Sequence, residues 1–148
     1  MASFVGEHGA KLDDKGRLIL PSQLKSIAEE AGCMRFKLKK SLYVDCIELY
    51  LESEWDSVLS DIRSKLNPIS REDDMVWRYY LTDSGNVTPD EKLGRINIPN
   101  HLLEKIGVVK EVVFFGAGYK IEVWAKDRWE SNRVSEKDMV ALIEKRLG

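Results

Sequence analysis

The feature that most restricts what this chain can become is an internal repeat. Lys15-Gly16-Arg17-Leu18-Ile19-Leu20-Pro21 recurs 78 residues later as Leu93-Gly94-Arg95-Ile96-Asn97-Ile98-Pro99. Self-similarity at a fixed offset means one supersecondary unit used twice, so the fold must seat two equivalent units together. The correspondence continues beyond the prolines. A short helical segment follows each, 22–32 and 100–107, ending in Gly32 and Gly107, with Ser22 and Asn100 as expected N-caps. Then comes a strand pair whose second member reads Ile47-Glu48-Leu49-Tyr50 in one copy and Ile121-Glu122-Val123-Trp124 in the other. Five residues past each aromatic, a tryptophan precedes an acid, as Trp55-Asp56 and Trp129-Glu130.

Each unit therefore reads strand, turn, strand, short helix, strand, turn, strand, helix. Asp13-Asp14-Lys15-Gly16 supplies turn formers and a glycine that tolerates positive φ, which predicts a hairpin between Ala10–Leu12 and Leu18–Leu20. Pro21 and Pro99 end strands where no ladder donor is needed. So few strands cannot manage their own edges, and pairing four from each unit predicts a pseudo-two-fold barrel with helices outside, an α+β, β-rich class. Apolar spacing predicts further helices over 53–66, 70–81 and 135–146, with 82–86 a loop and Asn67-Pro68 a helix stop. The expected organisation is a first repeat with its following helix at 1–66 and a connecting helix and linker at 67–82. A second repeat at 83–132 and a helical tail at 133–148 complete it.

Composition narrows the function. A chain of 148 residues buries roughly 68–70% of its unfolded surface, enough for a core of its own. Its 23 Lys and Arg against 25 Asp and Glu give a net charge of −2, so any attraction for a polyanion must be local. Cys33 and Cys46, with only His8 and His101 as partners, make no zinc spacing and are expected to be reduced, buried thiols of a cytoplasmic protein. Met1–Lys11 carries no apolar leader, and no run approaches the roughly 18 apolar residues of a membrane helix. Gly116-Ala117-Gly118 precedes a strand where a phosphate cradle needs a helix, so it is a turn. No catalytic constellation, metal site, cofactor or small-molecule substrate is indicated.

The repeated turn is the candidate site. Asp13 stands four residues before Arg17, placed to hold the guanidinium by a charge-assisted hydrogen bond with its free edge turned outward. Lys15 adds a second cation, and Lys11, Lys92 and Arg95 fall at or beside equivalent places. Phosphate oxygens are natural partners of such a group, while a pair that merely fixes a surface hairpin is the other reading. In the second copy Glu91 stands four residues before Arg95, with Asp90 one place earlier. Arg35-Phe36-Lys37-Leu38-Lys39-Lys40 reads as a strand with one buried and one cationic face, either a solvated edge or an aid to phosphate attraction. Trp55, Trp124 and Trp129 are expected in the core. Trp77, in Trp77-Arg78-Tyr79-Tyr80, fits a subunit contact or helix packing equally.

Leu12-Asp13-Asp14-Lys15-Gly16-Arg17 with Ile19-Leu20-Pro21, the second Gly94-Arg95-Ile96-Asn97-Ile98-Pro99, Cys46-Ile47-Glu48-Leu49-Tyr50, and Lys110-Glu111-Val112-Val113 before Ile121-Glu122-Val123-Trp124 closely resemble the MraZ family, from about Phe4 to Trp129. Members of that family carry two AbrB/SpoVT-like repeats of swapped-hairpin type. The resemblance implies a nucleoid-associated bacterial transcriptional regulator of the division and cell-wall gene cluster. It also implies a ring-shaped homo-oligomer that meets repeated promoter sites on double-stranded DNA through Asp-x-x-x-Arg turns. Carried onto this sequence, Arg17, Lys15, Arg95, Lys92 and Lys11 contact DNA, and Asp13, Gly16, Glu91 and Gly94 shape the turns. A ring would multiply weak contacts by effective concentration. The competing class is a non-enzymatic oligomeric scaffold that binds protein partners through the helices around Trp77 and the tail.

Overall fold

The computed structural model describes residues 2–148. The first unit contributes β1 (Glu7–Lys11), β2 (Leu18–Ile19), α1 (Ser22–Glu30), β3 (Phe36–Lys40), β4 (Cys46–Leu51) and α2 (Glu52–Ser64). After α3 (Arg71–Leu81), the second contributes β5 (Ser84–Val87), β6 (Arg95–Ile96), α4 (Asn100–Lys105), β7 (Glu111–Gly116), β8 (Ile121–Ala125) and α5 (Lys126–Ser131), and α6 (Glu136–Leu147) follows.

Strand pairing interleaves the two units. Six strands form one sheet in the order β1-β7-β8-β4-β3-β5, and β2 pairs only with β6. The first strand of each unit thus leaves its own turn partner and pairs with the third strand of the other unit, β1 with β7 and β5 with β3. The expected hairpin of Ala10–Leu12 with Leu18–Leu20 does not form; β1 and β2 diverge into different sheets. The turn between them is closed by Gly16 N–H donating to the Asp13 carbonyl at 3.0 Å and by Asp13 N–H donating to the Arg17 carbonyl at 2.8 Å.

Equivalent residues face one another at two places. Leu18 opposes Ile96 in the ribbon of β2 and β6, and Glu48 opposes Glu122 at the centre of the large sheet. A pseudo-two-fold axis therefore runs through the ribbon, the core and the middle of the sheet. The expected closed barrel is not formed among the described residues. Each ribbon strand is only two residues long and is followed at once by Leu20-Pro21 or Asn97-Ile98-Pro99, too short a reach to bond β1 or β5.

Between the ribbon and the inner face of the sheet lies one apolar core. Leu18, Leu20, Ile96 and Ile98 meet Leu24 and Ala28 of α1, Leu102, Leu103 and Ile106 of the α4 segment, and alternate residues of the sheet, Phe36, Leu38, Ile47, Leu49, Val112, Phe114, Ile121 and Val123. Both short helices end alike, with Gly32 and Gly107 at φ +76° and +79° closing Schellman-type turns that Cβ-bearing residues resist. Their N-caps are Pro21 and Pro99; Ser22 and Asn100 are the first helical residues and cap nothing with their side chains. The segment 82–86, expected as a loop, is mostly strand, since β5 completes the far edge of β3. For the same reason β3 is interior, and Lys39 on it is 3% exposed.

The outer face of the sheet is polar at the axis and aromatic on its flanks. Tyr50 packs on Trp55 of α2 and Trp124 on Trp129 of α5, with ring centroids 5.3 and 5.5 Å apart. The Tyr50 hydroxyl donates to Glu48 at 3.1 Å and Trp124 Nε1 to Glu122 at 3.0 Å, so the pseudo-symmetry extends to hydrogen bonds. Lys120 sits between the two carboxylates, bonded to Glu48 and 3.5 Å from Glu122. Cys46 stands at the position equivalent to Lys120 and is buried, and burial first, then Glu122, pushes its thiol pKa up. Cys33 is only half-buried, as is Trp129. Helices α3 and α6 bury none of their residues, and Met75, Val76, Tyr79, Val140, Leu142 and Ile143 remain exposed.

Candidate functional site

Alternation along the ribbon builds the site. Leu18 and Ile96 point inward at 1% exposure each, so the residues on either side of them must point outward. Arg17 and Ile19 flank the first, Arg95 and Asn97 the second, and all four are half-buried or exposed. Ile19 lies opposite Arg95, and continuing that register sets Arg17 opposite Asn97. The two arginines are therefore diagonal neighbours on one face, a pairing in which residues lie about 7–8 Å apart and their Cβ atoms somewhat closer.

Each turn holds its arginine by the same device. Asp13 accepts from the backbone N–H of Lys15 at 2.9 Å and of Arg17 at 2.8 Å through one oxygen, and from Arg17 Nε at 2.9 Å through the other. In the second turn Asp90 accepts from the N–H of Leu93 at 2.9 Å and Gly94 at 3.0 Å, while its other oxygen takes Arg95 Nε. The orienting acid is thus Asp90 and not Glu91, which is exposed and makes no hydrogen bond among the described residues. The second turn is one residue longer: Gly94 N–H donates to the Asp90 carbonyl four residues back, where Gly16 N–H reaches Asp13 three residues back, and both turns end on a glycine at positive φ, +72° and +76°, just before the arginine. These bonds hold both carboxyls below the ordinary aspartate range, chiefly through the N–H of Arg17 at Asp13 and of Leu93 at Asp90.

Because only Nε of each guanidinium is engaged, the terminal nitrogens of Arg17 and Arg95 have no partner among the described residues. They form a fixed fork of donors that carboxylate or phosphate oxygens match. Lys15 and Lys92 are exposed on the turns, and Lys11 at the end of β1 lies 3.9 Å from Glu111. Lys25 of α1 approaches the second turn beside Gly94, a cation that the motif gives no hint of because it belongs to the opposite unit's helix. The basic strand contributes nothing here. Lys37 bonds Asn86, Lys39 the Thr82 carbonyl and Arg35 Glu52, so each of these side chains is tied to a partner within its own part of the fold. Trp77 stands between α2 and α3 with the Arg63 guanidinium 5.8 Å from its ring. Among the described residues no group of three His, Cys, Asp or Glu is placed to hold a metal ion, and no helix is long and apolar enough to cross a membrane.

A protein-family model described as "MraZ protein, putative antitoxin-like" matches residues 3–78 and 81–141. The chain belongs to the MraZ family. Its relatives include the transcriptional regulator MraZ of Bacteroides thetaiotaomicron, 33% identical over 144 residues that cover 97% of this chain and 92% of the relative. That of Dictyoglomus thermophilum is 39% identical over 127 residues, covering 86% and 82%, and that of Clostridium acetobutylicum 34% over 142 residues, covering 96% and 95%. The two matched segments divide this MraZ-family chain within the last turn of α3, and the crossed strand pairing shows that the segments do not pack as separate bodies.

Proposed function

We propose that this chain is a sequence-specific, DNA-binding transcriptional regulator without catalytic activity, acting in the nucleoid on the division and cell-wall gene cluster. It binds repeated promoter sites as a ring-shaped homo-oligomer, through Arg17 and Lys15 of one turn assisted by Arg95, Lys92 and Lys11. The names of the relatives support regulation of transcription. One observation carries the reading of the site: two half-buried arginines on one face of the ribbon, each held by an aspartate at Nε, each with its terminal nitrogens left without a partner among the described residues. The geometry suits phosphate or base edges, and it costs the duplex no search for the side-chain conformation. Exposed apolar residues on α3 and α6 support self-association. The same faces would serve the scaffold reading, which differs in needing no arginine.

Fluorescence anisotropy with a labelled duplex bearing short direct repeats tests the assignment. Arg17→Ala is expected to weaken binding about tenfold or more, since a hydrogen bond to a charged group contributes about 1.5–3 kcal/mol. A variant that keeps the parent's circular dichroism and light-scattering mass yet binds as tightly overturns the site.

A further inference from the structure

We propose that Asn97 and Ile19 are base-reading positions and that, through them, one chain reads two unlike half-sites across its pseudo-two-fold axis. This rests on the DNA-binding reading above and deepens it. The outward face of the ribbon carries two arginines at equivalent positions, but the equivalent partners beside them, Ile19 and Asn97, differ in chemistry. Neither has work to do within the fold. Ile19 is 51% exposed between Leu18 and Leu20 at 1% each, and Asn97 is exposed with no side-chain hydrogen bond among the described residues, as is Asn100 on the helix start beside it, whereas Asn67, Asn86 and Asn132 each make one. An open depression lined by Lys15, Gly16, Asn97 and Asn100 places Asn97 beside the first turn. Arg17, Lys15 and Asn97 therefore form one reading group; Arg95 and Ile19, opposite one another, form the other, with Lys92 on the second turn.

A two-stranded ribbon fits the major groove, where every base pair presents a distinct edge. An asparagine amide donates and accepts at once, which matches N6 and N7 of adenine, whereas an isoleucine offers only apolar contact, which matches the C5 methyl of thymine. Phosphate contacts from the turns would fix the register of both groups. The half-site under Arg17 is accordingly marked by an adenine and the half-site under Arg95 by a thymine methyl, so the preferred site lacks two-fold symmetry even though the protein scaffold has it.

Selection of bound duplexes from a pool randomised across one site, followed by sequencing, reads the preference of each variant. The parent should yield an asymmetric consensus. Asn97→Ile should remove the adenine preference, a change of about 5- to 150-fold in the ratio of adenine to other bases, and make the two half-sites alike. Ile19→Asn should create a second adenine position, and both variants should keep the salt dependence of the parent. Both positions are exposed, and circular dichroism with the light-scattering mass confirms that the variants fold and assemble. If both variants retain the parent's base preferences while Arg17→Ala still weakens binding about tenfold or more, the reading positions are wrong and the DNA-binding assignment stands. If the parent selects no duplex at all, both fall together.

Discussion

Replacing Lys120 by methionine probes the end of the axis opposite the ribbon. Glu48 and Glu122 are directly cross-strand on the outer face of the sheet, and among the described residues Lys120 is the one cation paired with either. The three side chains are 14%, 12% and 15% exposed, so water screens them poorly. Lys120→Met keeps the length of the stem but leaves two facing carboxylates with only the Tyr50 hydroxyl and the Trp124 indole as donors. Breaking a buried pair costs about 3–5 kcal/mol, and the residual solvent access argues for about 3 kcal/mol. In a chain of this size each kcal/mol moves the midpoint by roughly 2–4 °C, so Tm should fall by about 6–12 °C. Urea unfolding followed by tryptophan fluorescence, at one fixed protein concentration, measures the loss. Adding Glu48→Gln and Glu122→Gln to Lys120→Met should recover most of it, since neutral amides no longer repel. DNA binding, at the far end of the axis, should survive in folded protein. A single variant within about 0.5 kcal/mol of the parent, the size of an ordinary surface change, would refute the idea that this cluster is electrostatically coupled.

The same lysine makes stability pH-dependent: burial lowers its pKa, but the Glu48 bond and charge outweigh that and leave it raised above the usual 10.5. The folded chain then holds the proton more tightly than the unfolded one, so this contribution is complete at neutral pH and is lost as pH rises through the folded value, a dependence that Lys120→Met should lack in urea titrations. Asp13 and Asp90 have the opposite sign: their lowered pKa values give a contribution present above the ordinary 3.8 and lost as pH falls through the folded values, which the Arg17 and Arg95 Nε–H resonances should report by NMR. Leu18→Ala, at 1% exposure on the axis, should cost about 2–5 kcal/mol in urea unfolding, whereas Ile19→Ala on the outward face should cost within about 0.5 kcal/mol. Binding through Arg17, Arg95, Lys15 and Lys92 should give a log affinity against log salt slope near −3.6 per engaged chain, at about −0.9 for each phosphate, and Arg17→Ala should make it shallower by about 0.9.

The repeat, the strand order within each unit, the glycine-terminated helices and the aspartate-held arginine of the first turn were all legible, because each depends on residues close in sequence. The four-residue spacing of Asp13 and Arg17 points to Glu91 as the partner of Arg95. The structure chooses Asp90 because its shorter side chain, one residue further back, reaches both the turn N–H groups and Arg95 Nε. The hairpin and the closed barrel failed for a different reason. Whether β1 pairs with β2 or with β7 is decided by side chains about a hundred residues apart, and a turn sequence permits either. Lys39 misled for the same cause: its strand reads as a solvated edge until β5 covers it, and burial then pushes the ammonium pKa down. Lys25 beside Gly94 and the shared Lys120 were invisible, since each serves a group belonging to the other unit.

The exchanged first strands set the order in which the molecule can be made. Glu7 pairs with Phe115, so the amino-terminal strand emerging from a ribosome has no partner until most of the polypeptide has been synthesised. Contacts of such long sequence separation slow the search for the native topology, and the waiting strand is a bare edge that invites intermolecular pairing. Its sequence, Glu-His-Gly-Ala-Lys, carries a charge at each end and a glycine at the middle, a composition poorly suited to aggregation during that interval.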